Sequence, residues 1–402
     1  MIDEPKPKQP KAQGKKKVAV GCQGGGIHAS FAVGVLIEIL ENIDQQKKPI
    51  KLVGLSGTSA GALCTLMAWY GLATKNGQAG SEREAIDRLK DFWDRFAATR
   101  VTEKLLNQFS NAAFRTQEME VLGFSASAFG LNPRSIISKA ITAGLPFLGV
   151  RRRYFDLHRL LDKACPQFNR INWDQLETRL LVGASDVISG IETIFDSDCN
   201  IPGGKHAKPI AATDRWRERL PLSLPGVAAS GTLPQLREAE RINDWYYWDG
   251  LYSQNPPIRE FLAGVDMQYR PDEIWIVRIN PQQCTKQVQS NAEMLDRENE
   301  LMGNLSLNKE LDFIAKVNEL RLLPKAARML TNKYKPVTVR TIKMTEQTAA
   351  ELRYSSKFNR SHDLMEQLRA EGHKVARDWL DQWPHVGSWP ADAAYRPRPR
   401  FY

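Results

Sequence analysis

The feature that most constrains this chain is an order repeated near its N-terminus: a short apolar run, a glycine-bearing turn, then a helix. Lys17-Val18-Ala19-Val20-Gly21-Cys22 leads into Gly24-Gly25-Gly26, and apolar spacing turns helical from Ala29 to Leu40. Lys51-Leu52-Val53-Gly54-Leu55-Ser56 is a second run, closed by Gly57-Thr58-Ser59-Ala60-Gly61 and followed by a mostly apolar helix from Ala60 to Tyr70 without internal charge. Strands that are apolar on successive residues need cover on both faces, and a helix between two of them brings them together in parallel through a right-handed crossover. The expected class is α/β with a mostly parallel central sheet.

Further strands are predicted at Arg179–Ala184, Ile191–Phe195, Glu273–Ile279 and Val337–Ile342, with an amphipathic helix between Glu82 and Phe96 carried by Ile86, Leu89, Trp93 and Phe96. Beyond about Pro281 the composition shifts toward Glu, Lys, Leu, Asn and Arg. The expected organisation is a basic tail over 1–16, an α/β domain over 17–285 and a mainly helical C-terminal extension over 286–402 packed on the core.

A chain of 402 residues with 42% hydrophobic and 25% charged residues can bury a large core. Five cysteines without a C-x-x-C pair suggest neither a disulfide framework nor a thiolate zinc site. No secretory leader is visible, and Val121–Val150 is interrupted too often by glycine and proline for a spanning helix, so a cytoplasmic protein is expected. The formal charge of +10 would attract nucleic acid or anionic lipid alike, and no nucleic-acid-binding signature accompanies it. The six lysines between Met1 and Lys17 suit a solubilising tail, or peripheral contact with an anionic membrane surface. The apolar residues of Val121–Val150 suit either a buried subdomain or an exposed interfacial cap.

Gly57-Thr58-Ser59-Ala60-Gly61 fits the G-x-S-x-G elbow, in which a serine sits on a strained strand-to-helix turn and the glycines remove side chains that would clash. Such a pentapeptide is common by chance; its place between a strand and a helix makes it informative. Gly24, Gly25 and Gly26 end the neighbouring strand, so parallel pairing puts their N–H groups at the same sheet edge, where they could form an oxyanion hole. A phosphate loop is the rival, but neither a G-K-[ST] ending nor G-x-G-x-x-G is present.

The serine needs a base. Among six histidines, His362, His373 and His385 follow Ser59 in triad order but fall in a charged helical segment that suits a solvated face. Asp249, at the end of Trp245-Tyr246-Tyr247-Trp248-Asp249-Gly250, suits a strand end beside an apolar pocket, where burial would make it a stronger base. An Asp-Gly hairpin turn is the ordinary alternative.

The glycine triplet, the serine elbow and the Asp249-Gly250 pair, in that order, resemble the hallmarks of the patatin-like phospholipase family. The resemblance extends to Leu180-Leu181-Val182-Gly183-Ala184-Ser185-Asp186 and to Val227-Ala228-Ala229-Ser230-Gly231-Thr232-Leu233-Pro234, covering about residues 17–285. It implies a three-layer α/β/α fold and a Ser59–Asp249 dyad with Gly24, Gly25 and Gly26 binding the oxyanion, supported by Gly57, Gly61, Gly250 and His28. It also implies hydrolysis of fatty acyl esters of phospholipids or lysophospholipids without cofactor or metal. A thioesterase or acyltransferase could use the same apparatus, and a catalytically silent lipid-binding scaffold is the non-enzymatic alternative. Two departures stand out. The family writes Arg or Lys after Gly-Gly-Gly-x, where this chain has His28 followed by Ala29, and Leu251 replaces the usual small residue after Asp-Gly. A histidine in that place predicts pH-dependent support of the glycine loop.

Overall fold

A computed structural model describes residues 14–99, 103–104, 107–108, 156–207, 215–234, 237–284, 288, 291–319 and 336–388. In chain order its elements are β1 (Lys16–Cys22), α1 (Ser30–Asp44), β2 (Ile50–Thr58), α2 (Ala60–Leu72), α3 (Glu82–Phe96), α4 (Leu157–Ala164), β3 (Arg179–Asp186) and β4 (Glu192–Asp196). There follow β5 (Arg217–Pro221), α5 (Leu224–Ser230), β6 (Glu240–Ile242), β7 (Trp245–Asp249), β8 (Glu273–Arg278), α6 (Asn291–Glu319), β9 (Thr338–Lys343), α7 (Glu346–Glu351) and α8 (His362–Gln382).

Side-chain alternation along the strands sets the layers. In β1, Val18, Val20 and Cys22 enter one apolar cluster and Ala19 another; Leu180 and Val182 of β3 divide from Leu181 in the same way, and Trp275 and Val277 of β8 from Ile274 and Ile276. The first cluster is closed by α1, α2, α3 and α8, the second by Leu307, Leu311 and Ile314 of α6. The result is a mixed α/β structure with helices on both faces of one sheet, as period-two alternation inside continuously apolar strands requires.

The sheet runs β5-β4-β3-β2-β1-β8-β9, with β7 pairing β3 and β6. Pairing is parallel between β1 and β2, β2 and β3, β1 and β8, β8 and β9, and β4 and β5, and antiparallel where β3 meets β4 and β7 and where β6 meets β7. The sheet is therefore mostly parallel, as expected. The segment beyond residue 286 contributes β9 to this sheet and α8 to the layer over α1. Gly34 and Gly372 face one another there. A methyl on Gly34 would strike the Arg369 carbonyl, and one on Gly372 the Phe31 carbonyl, so the two helix backbones cross in direct contact.

β5 escapes a hydropathy reading because its buried side chains are charged. Arg217 pairs with Glu192, Glu260 and Glu310, and Arg219 with Asp196, which also takes Arg179. Glu310 of α6 further accepts the backbone N–H groups of Ile258 and Arg259 at 2.8 and 2.7 Å, tying α6 to the loop after β7. The stretch Gly26–Asp44 is long and apolar enough to cross a membrane by length and composition, but 83% of its most apolar window is buried inside the protein, so here it is a core helix.

Candidate active site

Register brings Ser59 and Asp249 together. β2 ascends beside β3 and stops with Thr58 opposite Gly183; β7 descends on the same side of β3 and stops with Asp249 opposite Ala184, the next residue. β4 occupies the other side of β3 over Leu181–Ser185, which leaves β7 only the place that β2 vacates. Two strands thus meet end to end. The residues at their tips lie about one residue apart along β3, where the rise per residue is roughly 3.3 Å.

Ser59 occupies a turn with φ 56° and ψ −130°, a conformation that L-residues adopt at a cost of about 1–3 kcal/mol. Its surroundings fix that turn. The Ser59 N–H donates to Ser230 Oγ at 2.9 Å, and Ser230 Oγ donates to the Gly183 carbonyl at 2.6 Å, linking the elbow to β3 through the end of α5. Thr58 Oγ1 donates to the Gln254 carbonyl at 2.7 Å, and Ser56 Oγ to the Pro257 carbonyl. The glycines allow close packing: a Cβ on Gly61 would lie 2.6 Å from the Gln23 carbonyl oxygen, and one on Gly57 2.5 Å from Thr65 Oγ1. Ser59 remains half-buried at the N-terminus of α2, whose dipole favours negative charge.

Asp249 is fully buried. Its N–H donates to the Thr232 carbonyl at 2.9 Å, and its Oδ1 accepts from the Leu251 N–H at 2.8 Å, while Oδ2 has no hydrogen-bond partner of ordinary geometry among the described residues. Burial pushes the carboxyl up to about 7, against the opposing pull of the Ser59 side chain and the Leu251 N–H on its charged form. Gly250 is needed beside it, since a Cβ there would lie 2.6 Å from the Gly183 carbonyl carbon. Leu251 is buried and leaves the Asp249–Leu251 turn intact.

The glycine loop lies against the elbow: a Cβ on Gly24 would come within 2.7 Å of Ser59 Cβ. One part of the sequence expectation is corrected here. The Gly24 N–H is already committed, donating to Asn255 Oδ1 at 2.6 Å, so it is a support of the loop and not a free oxyanion donor. Gly25 and Gly26 are half-buried, and among the described residues neither N–H has a protein acceptor. Gly26 takes φ 58°, and any side chain on it would strike the Lys357 carbonyl.

His28 is a second correction. It is buried, its Nε2 lies 2.7 Å from Ser356 Oγ, and burial, reinforced by the charge of Lys357, holds its pKa well below the ordinary value. It is a neutral packing residue at neutral pH rather than a titrating support. His373 contacts Glu38, Glu41 and Arg377 between α1 and α8, and His362 stands at the exposed start of α8; neither belongs to the Ser59 edge. The groups Glu38/Glu41/His373 and Asp94/His362/Glu366 have the donor spacing of a metal site, and both belong to α8 and its neighbours. The cap expected over Val121–Val150 lies outside the described residues, as does the basic tail up to residue 13, while Lys16, its last residue, is already the first of β1.

Side chains that sequence reasoning did not single out do much of the positioning. Gln23 Oε1 accepts the Ile279 and Asn280 N–H groups, and Gln23 Nε2 donates to Asn304 Oδ1 at 3.2 Å. Asn255, Asn280 and Lys357 hold the loop from positions more than 200 residues away. Nothing local announces them. Ser230 and Thr232 carried a signal, since both stand in the Val227–Pro234 stretch already noted for its resemblance.

No family model and no curated protein matches this chain. Solved structures similar to it at a distance include the following three. VipD from Legionella pneumophila aligns with 12% identity over 89% of this chain and 67% of that one, with a TM-score of 0.34. The full-length complex of SpcU with ExoU, from the type III secretion system of Pseudomonas aeruginosa, aligns with 10% identity over 91% and 53%, with a TM-score of 0.28. A second ExoU–SpcU structure gives 12%, 90% and 52%, with a TM-score of 0.26. The chain spans about half the length of the ExoU chains. At these values the likeness is a distant one.

Proposed function

We propose that this chain is a serine acyl hydrolase of patatin-like type, cleaving fatty acyl esters of glycerophospholipids or lysophospholipids through a Ser59–Asp249 dyad. The observation that carries the reading is the meeting of β2 and β7 on one side of β3. It sets a strained, half-exposed serine beside a buried carboxyl whose charged form the Ser59 side chain favours and whose Oδ2 has no partner of ordinary hydrogen-bond geometry among the described residues. A carboxyl raised to about 7 can take the serine proton directly near neutral pH, without an imidazole between them.

The steps follow. Ser59 Oγ attacks the ester carbonyl carbon while its proton passes to Asp249 Oδ2, and the carbonyl oxygen, now an oxyanion, turns to the N–H groups of Gly25 and Gly26. Collapse breaks the bond to the alkoxy oxygen, which leaves with the proton from Asp249, and the acyl group stays on Ser59. Water then attacks acyl-Ser59, giving its proton to Asp249, and the fatty acid departs as the serine regains its proton. The substrate class rests on the resemblance of the three motifs and on a basic chain suited to anionic lipid surfaces.

The test is a mass-spectrometric product assay on phospholipids carrying different acyl chains at the two positions. Release of free fatty acid, lost in Ser59→Ala, is the expected result, and the chain released fixes the regiochemistry. No free acid from any phospholipid or lysophospholipid would overturn the substrate assignment. Transfer to an added alcohol or thiol in preference to water would make the protein an acyltransferase.

A further inference from the structure

The glycine loop is held by a cation, and it comes from the other end of the chain. Lys357, in the 3-10 turn Ser355–Phe358, is buried, and its Nζ donates to Asn280 Oδ1 at 3.0 Å and to Asn299 Oδ1. Asn280 Nδ2 donates in turn to the Gly24 carbonyl at 3.3 Å. Lysine has donors only, so Asn280 must present its oxygen to Lys357 and its amide nitrogen to Gly24, and the orientation of the amide is fixed by chemistry. The Gly24 carbonyl belongs to the same peptide unit as the Gly25 N–H. Hydrogen bonds in series polarise one another, so a proton donated to that carbonyl strengthens the N–H on the far side.

We infer that Lys357 is a positioning residue for the proposed reaction: through Asn280 it polarises and orients the Gly24–Gly25 peptide, so that the Gly25 N–H is aimed at the oxyanion formed at Ser59. Its own carbonyl also packs against Gly26, whose left-handed backbone leaves just that space. A fixed cation at position 28 would serve the loop from within; here His28 is neutral and Lys357 replaces that charge from the C-terminal segment. This inference rests on the Ser59–Asp249 reading.

The charge on Lys357 is itself labile. Burial lowers its pKa to about 8, with Asp296 and Glu300 of α6 pulling the other way, and His28, the other titratable group beside it among the described residues, stays neutral in that range. The relay therefore weakens as pH rises through about 8. Combined with the ionisation of Asp249 near 7, it gives a bell-shaped rate profile with a narrow top.

The experiment uses the full chain and p-nitrophenyl butyrate, with fluorophosphonate labelling of Ser59 and thermal unfolding measured on each variant. Lys357→Met is expected to lower kcat about tenfold or more with KM little changed, and to abolish the alkaline limb of the profile. Asn280→Asp keeps an acceptor for Lys357 but no donor for Gly24, and should lower kcat similarly even if Lys357→Met proves poorly folded. A folded Lys357→Met with wild-type kcat and an intact alkaline limb would overturn the relay, as would a folded Asn280→Asp with unchanged kcat. A wild type that hydrolyses the ester and labels at Ser59 while both variants match it fails the relay alone. A wild type inert to both reagents fails the dyad, and the relay with it.

Discussion

The two halves of the site are built differently. The elbow around Ser59 is held by neighbours in the fold's own geometry: the end of β2, the start of α2, glycines packed on backbone, and a short bridge from Ser230 to β3. The glycine loop a few ångströms away is held by side chains from Asn255, Asn280 and Lys357. The first combines close backbone packing with short hydrogen bonds, whereas the second depends on polar side chains from distant parts of the chain. Damage should therefore separate: crowding the elbow should cost stability, whereas removing a polar hold on the loop should cost rate before fold.

The largest effect is expected where both halves converge on the proton. Asp249→Asn should lower turnover by about 10⁴-fold or more, the scale of losing an acid–base member of a serine hydrolase's catalytic set. Its effect on stability has the opposite sign. Because burial raises the carboxyl to about 7, the stabilising contribution of this group is fully present only below its unfolded pKa near 4, and is lost as pH rises through 7. Asp249→Asn should thus unfold at a higher temperature than wild type at pH 8, by up to about 4 kcal/mol in stability, and show little difference at acid pH. Calorimetry at the two pH values checks this.

Crowding the elbow comes next. Gly61→Ala forces a methyl against the Gln23 carbonyl, and overpacking of this kind costs about 1–3 kcal/mol. Denaturant unfolding should show that loss together with reduced activity. On the loop, Asn255→Ala strands the buried Gly24 N–H, and should lower kcat about tenfold with a stability loss of about 1 kcal/mol. Equal stability losses for the two variants would erase the distinction between the halves. The smallest effect is expected at His28: with its imidazole neutral, His28→Gln should keep the wild-type pH profile between 6 and 8.

That division also decides what could be read in the sequence. The elbow, the glycine triplet and the Asp249 strand end are local patterns, and the strands that carry them are apolar enough to stand out. β5 does not stand out, because Arg217 and Arg219 are buried against carboxylates and imitate a surface segment. In the sequence Gly24 is indistinguishable from Gly25 and Gly26 as a donor, since nothing within a few residues discloses that Asn255 takes its N–H. Position 28 looks like a missing cation for a similar reason. The replacement stands 329 residues later in a stretch of Ser, Lys and Phe with no motif, and only the docking of α8 on α1 brings it under the loop.

The most direct measurement is covalent labelling by a fluorophosphonate, followed by peptide mapping, in wild type, Ser59→Ala and Asp249→Asn at pH 7.5. A serine activated by the buried acid predicts a single adduct on Ser59, absent from Ser59→Ala and formed far more slowly in Asp249→Asn although that variant remains folded. Labelling of Ser59 at the wild-type rate in Asp249→Asn would contradict the dyad, and no adduct on Ser59 in the wild type would contradict the assignment of the nucleophile.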